Sequence, residues 1–158
     1  MLRNIRRTKG PDGKGLKIAI VVSRFNSDIT FRLLEGAKSE LRNCRTSEKD
    51  IQVLEVPGAF ELPQAALQVA NCKRVDAIIC LGAVIRGETP HFEYVSAESA
   101  RGIMETGLRS GIPLILGLLT VNNLRQAKAR SGGKRNKGRE AALAAIEMAI
   151  LYRQVRKR

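Results

Sequence analysis

Three features of the sequence predict an α/β fold, a parallel four-stranded sheet with helices on both faces. Apolar runs rich in Val, Ile and Leu recur at 16–22, 51–56, 76–81 and 112–120, the pattern of strands buried on both sides. Each is followed by a segment with apolar residues at helical spacing, so strands and helices alternate, and right-handed crossovers then make a three-layer α/β/α sandwich. Finally, the residues suited to tight turns and ligand contact, at 25–26, 58–61, 82–91 and 117–123, all fall where a strand hands over to the next segment of chain. In an open parallel sheet that rim is where ligands bind.

The elements can be taken in chain order. Residues 1–15 carry Gly10, Pro11, Gly13 and Gly15 among basic residues and read as an arm without its own core, ahead of a single domain at 16–158. The first strand ends at Ser23-Arg24-Phe25-Asn26, and Ser27 or Asp28 is placed to cap a helix with the stripe Ile29, Leu33, Leu34, Ala37 and Leu41. The second strand stops at Pro57-Gly58, and Pro63 suits the start of the next helix. The third, 76–81, leads into a turn at 82–91, where Gly82 and Gly87 permit positive φ and Thr89 can cap. A third helix over 92–110 turns Val95, Ala100, Ile103, Met104 and Leu108 inward and ends at Gly111. After the fourth strand, Asn122 or Asn123 caps a short helix through Arg130. A basic glycine loop at 131–137 precedes a final helix at 139–154 with a narrow alanine-rich face.

Composition narrows the function classes. The 158 residues suffice for one ordinary domain. No apolar run is long enough to span a membrane, and no apolar segment comes after the basic N-terminus as a secretory signal requires. Three cysteines without paired spacing suggest reduced thiols in a cytoplasmic protein, and a single histidine argues against a zinc site. The net charge of +13 raises nucleic-acid binding. However, aromatic residues are 4% and do not interleave with the basic ones, so stacking platforms for bases are missing. A solvated surface that attracts phosphorylated small molecules is the simpler account.

The turn at 82–95 concentrates the chemistry. Free N–H groups at a helix start attract anions, phosphate above all. The chain's one histidine, His91, stands immediately beyond, able to take and give a proton at neutral pH or simply to serve structure.

Four segments in order, Val56-Pro57-Gly58-Ala59-Phe60-Glu61-Leu62-Pro63, the Arg-Gly-Glu-Thr-Pro-His core at 86–91, Gly117-Leu118-Leu119-Thr120-Val121 with Gln126-Ala127 and Arg130, and Asn136-Lys137-Gly138 before Glu140-Ala141-Ala142, resemble the 6,7-dimethyl-8-ribityllumazine synthase family. The resemblance runs from about Leu16 to Tyr152. It implies a flavodoxin-like fold and the penultimate step of riboflavin biosynthesis. There 5-amino-6-ribitylaminouracil condenses with 3,4-dihydroxy-2-butanone 4-phosphate, with loss of phosphate and two waters and without metal or cofactor.

Carried over by position, the resemblance implies that Phe25 stacks on the pyrimidine. Asn26, Ala59, Phe60, Glu61, Ala83, Val84 and Ile85 would line the pyrimidine and ribityl pocket. Gly87, Glu88 and Thr89 would offer amides and a hydroxyl to phosphate, Arg130 would grip it as a fork, and His91 would carry the proton. Lys137 and Glu140 would stand near the phosphate, from the same or a neighbouring subunit. Taken alone, Phe25 reads equally as a buried ring, Glu61 as an acid at a helix start and Arg130 as solvated surface. Leu116 departs from the family, whose members often carry an aromatic residue there, closing the pyrimidine stack from the adjacent subunit. The Val121-Asn122-Asn123 segment also departs. A pentamer is implied, and sixty-subunit shells of twelve pentamers occur in the family; the short loop at 131–137 points toward a shell. Riboflavin synthase is an implied partner. Two other classes compete: a non-catalytic flavin or phosphate-ligand binder of the same fold, and a basic nucleic-acid binder.

Overall fold

The computed structural model describes residues 10–72 and 74–157. Strands β1 (Ile18–Ser23), β2 (Ile51–Val56), β3 (Ala77–Ile85) and β4 (Leu114–Val121) form a parallel sheet in the order β2-β1-β3-β4. Helices α1 (Ser27–Asn43), α4 (Leu124–Ser131) and α5 (Lys137–Arg156) cover one face, and α2 (Leu62–Asn71) and α3 (His91–Ser110) cover the other. The fold is thus the three-layer α/β/α sandwich that the alternation of strands and helices predicts, and it is flavodoxin-like as the resemblance implies.

Successive side chains of a strand point to opposite faces. Ile18, Ile20, Ile79 and Leu81 therefore meet Leu33, Ala37 and Ala145 in one layer, while Ala19, Val21, Ile78 and Cys80 meet Leu62, Ala66 and Ile103 in the other. Each fully buried Ile or Leu stabilises the fold by about 1.5–3 kcal/mol. Burial also pushes the Cys80 thiol up to about 12, so it is an inert core group. The alanine-rich face of α5 lets it lie close to α1. A Cβ on Gly138 would fall 1.9 Å from the Leu33 carbonyl oxygen, and one on Gly36 would fall 2.4 Å from the Asn136 side chain. Any larger residue there would push the helices apart. Among the described residues no helix is long and apolar enough to cross a membrane.

Several expectations are corrected, each for a local reason. Residues 82–85 continue β3 instead of forming a turn, because β4 extends alongside and pairs Ile85 with Val121. Neither Gly82 nor Gly87 takes a positive φ. Gly82 is required by packing instead, since a Cβ there would lie 2.9 Å from Leu118 and 3.0 Å from Leu62. Neither Ser27 nor Asp28 caps α1: the cap position is Asn26, in the left-handed region at φ 59°, and it makes no side-chain cap bond.

At the start of α3 the cap position is Pro90, and the Thr89 hydroxyl accepts only a long 3.4 Å bond from the His91 N–H. Met104 and Leu108 point outward, 64% and 76% exposed, while α3 buries Phe92, Ser99, Ile103 and Thr106. Spacing identifies an apolar stripe but not what covers it. Helix α5 begins two residues early because Asn136 caps it, and the late loop contains a 3₁₀ turn, Gly133–Arg135. Of the two candidates, Asn123 caps α4. Gly111 ends α3 at φ 67°, as expected.

Residues 1–9 of the proposed arm lie outside the described residues. Its remainder is held down: the Gly13 N–H donates to the Cys44 carbonyl at 2.7 Å, and Arg45 forks onto Asp12. That fork is the main cause holding the Asp12 carboxyl below its ordinary value.

Candidate active site

Two concavities contain nearly all the residues singled out from the sequence, and they have no residue in common. The first, about 680 Å³, opens at the carboxyl ends of β1, β2 and β3. The strand-to-loop transitions of all three strands supply its lining: Phe25 and Asn26 after β1, Ala59, Phe60 and Glu61 after β2, and Ala83, Val84, Ile85, Gly87, Thr89 and His91 from the end of β3 into α3. Phe25 is 71% exposed, because the chain turns outward at Asn26 and leaves the ring at the mouth of the cavity. A buried ring is thereby ruled out. The Asn26 amide donates to the Ala83 carbonyl at 2.8 Å, tying the first loop to the third strand. Phe60 is also half exposed.

Two polar features at this cavity have no hydrogen-bond partner among the described residues. Glu61 occupies the cap position of α2, where a negative charge is favoured by the helix start, and its carboxylate makes no capping hydrogen bond. Beyond β3, the Arg86 N–H closes the ladder by donating to Val121, at 2.9 Å. The next three amides, of Gly87, Glu88 and Thr89, donate to no carbonyl among the described residues. Three open N–H groups in succession lie just ahead of a twenty-residue helix, a feature that favours an anion nearby. A Cβ on Gly87 would meet nothing within 4 Å, so the approach is clear. Of the residues singled out at this turn, Glu88 lines neither concavity.

The second concavity, about 430 Å³, runs along the free edge of β4 and is walled by the start of α5 and the end of α4. It holds Leu116, Arg130, Lys137 and Glu140. Leu116 is 54% exposed on the strand edge. Arg130 uses one nitrogen to reach the Gln126 carbonyl at 3.2 Å. Lys137 donates to Glu140 at 2.7 Å, one turn along α5. Asn136 organises this end. Its oxygen accepts from the Gly138 N–H at 2.8 Å, and its amide donates to the carbonyls of Arg32 and Ser131 at 2.9 and 2.8 Å.

Comparison with known proteins decides the family. Residues 15–153 match 6,7-dimethyl-8-ribityllumazine synthase. A Syntrophus aciditrophicus (strain SB) protein described as 6,7-dimethyl-8-ribityllumazine synthase is 54% identical over 143 residues, which cover 90% of this chain and 93% of the relative. The chain belongs to the 6,7-dimethyl-8-ribityllumazine synthase family.

Within that family the division of residues matters most. One chain collects Phe25, Glu61, the open amides and His91 in one place, and Leu116, Arg130, Lys137 and Glu140 in another. Sequence reasoning did not single out Phe92, which lines the first cavity, Arg86, stacked 4.3 Å over the Phe92 ring, or Asn136. Arg86 lies within the Arg-Gly-Glu-Thr-Pro-His core at 86–91 and Phe92 directly follows it, but nothing in the residue pattern assigned either a role of its own. For Asn136 the signal was a helix start with an Asn before Lys-Gly.

Proposed function

We propose that this chain catalyses the condensation of 5-amino-6-ribitylaminouracil with 3,4-dihydroxy-2-butanone 4-phosphate, at a site completed between two copies of the chain. The observation that carries this is the run of open amides at Gly87, Glu88 and Thr89 on the rim of a cavity that also holds His91 and an uncommitted Glu61. The phosphate dianion docks on those amides. The pyrimidine lies against the Phe25 ring and the apolar Val84-Ile85 wall, and the ribityl hydroxyls donate to Glu61.

The 5-amino group attacks the ketone carbon and water leaves to give the imine. Loss of a proton and of phosphate comes next, then ring closure with loss of a second water. None of these steps needs electrons from outside, so the protein supplies position and a proton carrier, His91. Arg130 is the guanidinium fork for the leaving phosphate.

Arg130 stands in the concavity along the β4 edge, apart from the amides it serves. A neighbouring copy that sets its first cavity against that edge brings the two sets together, with Leu116 closing the pyrimidine face. A closed ring repeats this contact without leaving an edge free, and a pentamer is the ring proposed. Light scattering gives its size and separates it from a sixty-subunit shell.

The direct test is incubation with both substrates. Fluorescent lumazine and inorganic phosphate appear in equal amounts above the uncatalysed rate. Riboflavin binding without product would instead leave a non-catalytic ligand binder.

A further inference from the structure

Arg86 does more than neutralise a neighbour. Its guanidinium meets three side chains, one in the segment after β4 and two in the first turn of α3. Nε donates to Asn122 Oδ1 at 3.1 Å beyond β4, another nitrogen pairs with Glu93 in the first turn of α3, and the plane stacks 4.3 Å over the Phe92 ring. Asn122 in turn donates its N–H to Gln126 Oε1 at 2.8 Å, and the Gln126 carbonyl holds Arg130 at 3.2 Å. One continuous set of contacts therefore runs from the loop that bears the open amides to the arginine of the other concavity. The pairing has an electrostatic consequence as well. Glu93 is the acidic residue of the α3 first turn and would repel a phosphate dianion there unless a cation neutralised it.

We propose that Arg86 is a positioning residue for phosphate recognition. It fixes the Gly87–Thr89 amides on one side and, through Asn122 and Gln126, the helix that presents Arg130 on the other. It does not itself touch the ligand. The inference rests on the proposed condensation, and its test is read by inorganic phosphate as well as by turnover. A wild-type chain that binds phosphate but makes no lumazine would refute the function and leave the inference to be judged on phosphate binding alone.

The variants are Arg86→Ala, Arg86→Lys and Asn122→Ala, each checked by thermal melting and light scattering. In Arg86→Ala, the KM for the phosphorylated ketone and the dissociation constant for inorganic phosphate both rise about tenfold, while the KM for the pyrimidine moves less than about twofold. Lysine keeps the charge but cannot serve Asn122, Glu93 and Phe92 together, so Arg86→Lys gives no rescue. Asn122→Ala shows the same split with smaller amplitude, and it carries the test if an Arg86 variant fails to assemble. A wild-type-like Arg86→Lys would mean that charge alone matters. An equal change in both KM values, or unchanged phosphate affinity, would mean that the contacts serve stability only. Any of these overturns the proposal.

Discussion

The two concavities of this chain are built on opposite plans. The one at the ends of β1, β2 and β3 is a mostly apolar cavity assembled from three loops, and its polar groups include open amides, the His91 imidazole and the Glu61 carboxylate. The one along β4 is an edge groove with three charged side chains, two of which already pair with each other. A cavity of the first kind can hold a heterocycle and orient it but has no cation to offer a dianion. An edge of the second kind has the cations, Arg130 and Lys137, but no aromatic ring in its lining. Each supplies what the other lacks, which is the physical reason to expect them to work as one site between subunits.

The comparison breaks most sharply at Arg130. Arg130→Ala is expected to lower turnover about 100-fold or more, since on the proposed mechanism it removes the fork that grips the leaving phosphate. His91→Ala is expected to cost about tenfold, because water reaches the exposed imidazole position and can carry the proton in its place. Steady-state rates give the order, and the reverse ranking would overturn these roles.

Next comes complementation. Subunits carrying Arg130→Ala are refolded together with subunits carrying Phe25→Ala and His91→Ala. A site shared between neighbours regains about a quarter of wild-type turnover on random mixing, whereas a site within one chain regains none.

Asn136→Ala separates structure from chemistry in the second region. It removes a helix cap and leaves two carbonyls short of a donor, at about 2–4 kcal/mol by thermal or denaturant unfolding. An unchanged midpoint would show that the loop is held by other contacts. The smallest effect is at Leu116. Leu116→Phe adds an aromatic face to the pyrimidine contact and should lower the KM for the pyrimidine about two- to tenfold with kcat little changed. No change would place Leu116 away from the ring.

Much of this was legible in the residues. Four apolar runs with helical segments between them leave few arrangements other than a covered parallel sheet, and β1, β2 and β4 fall close to where the runs predict. The rim was legible too, because glycine, proline and asparagine collect at strand ends whatever the ligand. What misled was local ambiguity. Gly82 looked like a turn, yet it continues β3 because β4 pairs alongside, and it is glycine because Leu62 and Leu118 leave no room for a side chain. Met104 and Leu108 sit at inward spacing on α3 but face a groove beside the β4 edge, since periodicity reports an apolar stripe and says nothing about whether the chain itself covers it.

By itself, then, the sequence determined the layers, the rim and the kinds of group gathered there, because these depend on short-range spacing and residue chemistry. Only the tertiary structure decided that Arg130, Lys137 and Glu140 stand apart from Phe25 and His91, that the amides after Arg86 are open, and that Arg86 joins the two regions. Those facts depend on register and on side chains 36 residues apart in sequence meeting across β3 and β4, and no local pattern encodes such distances.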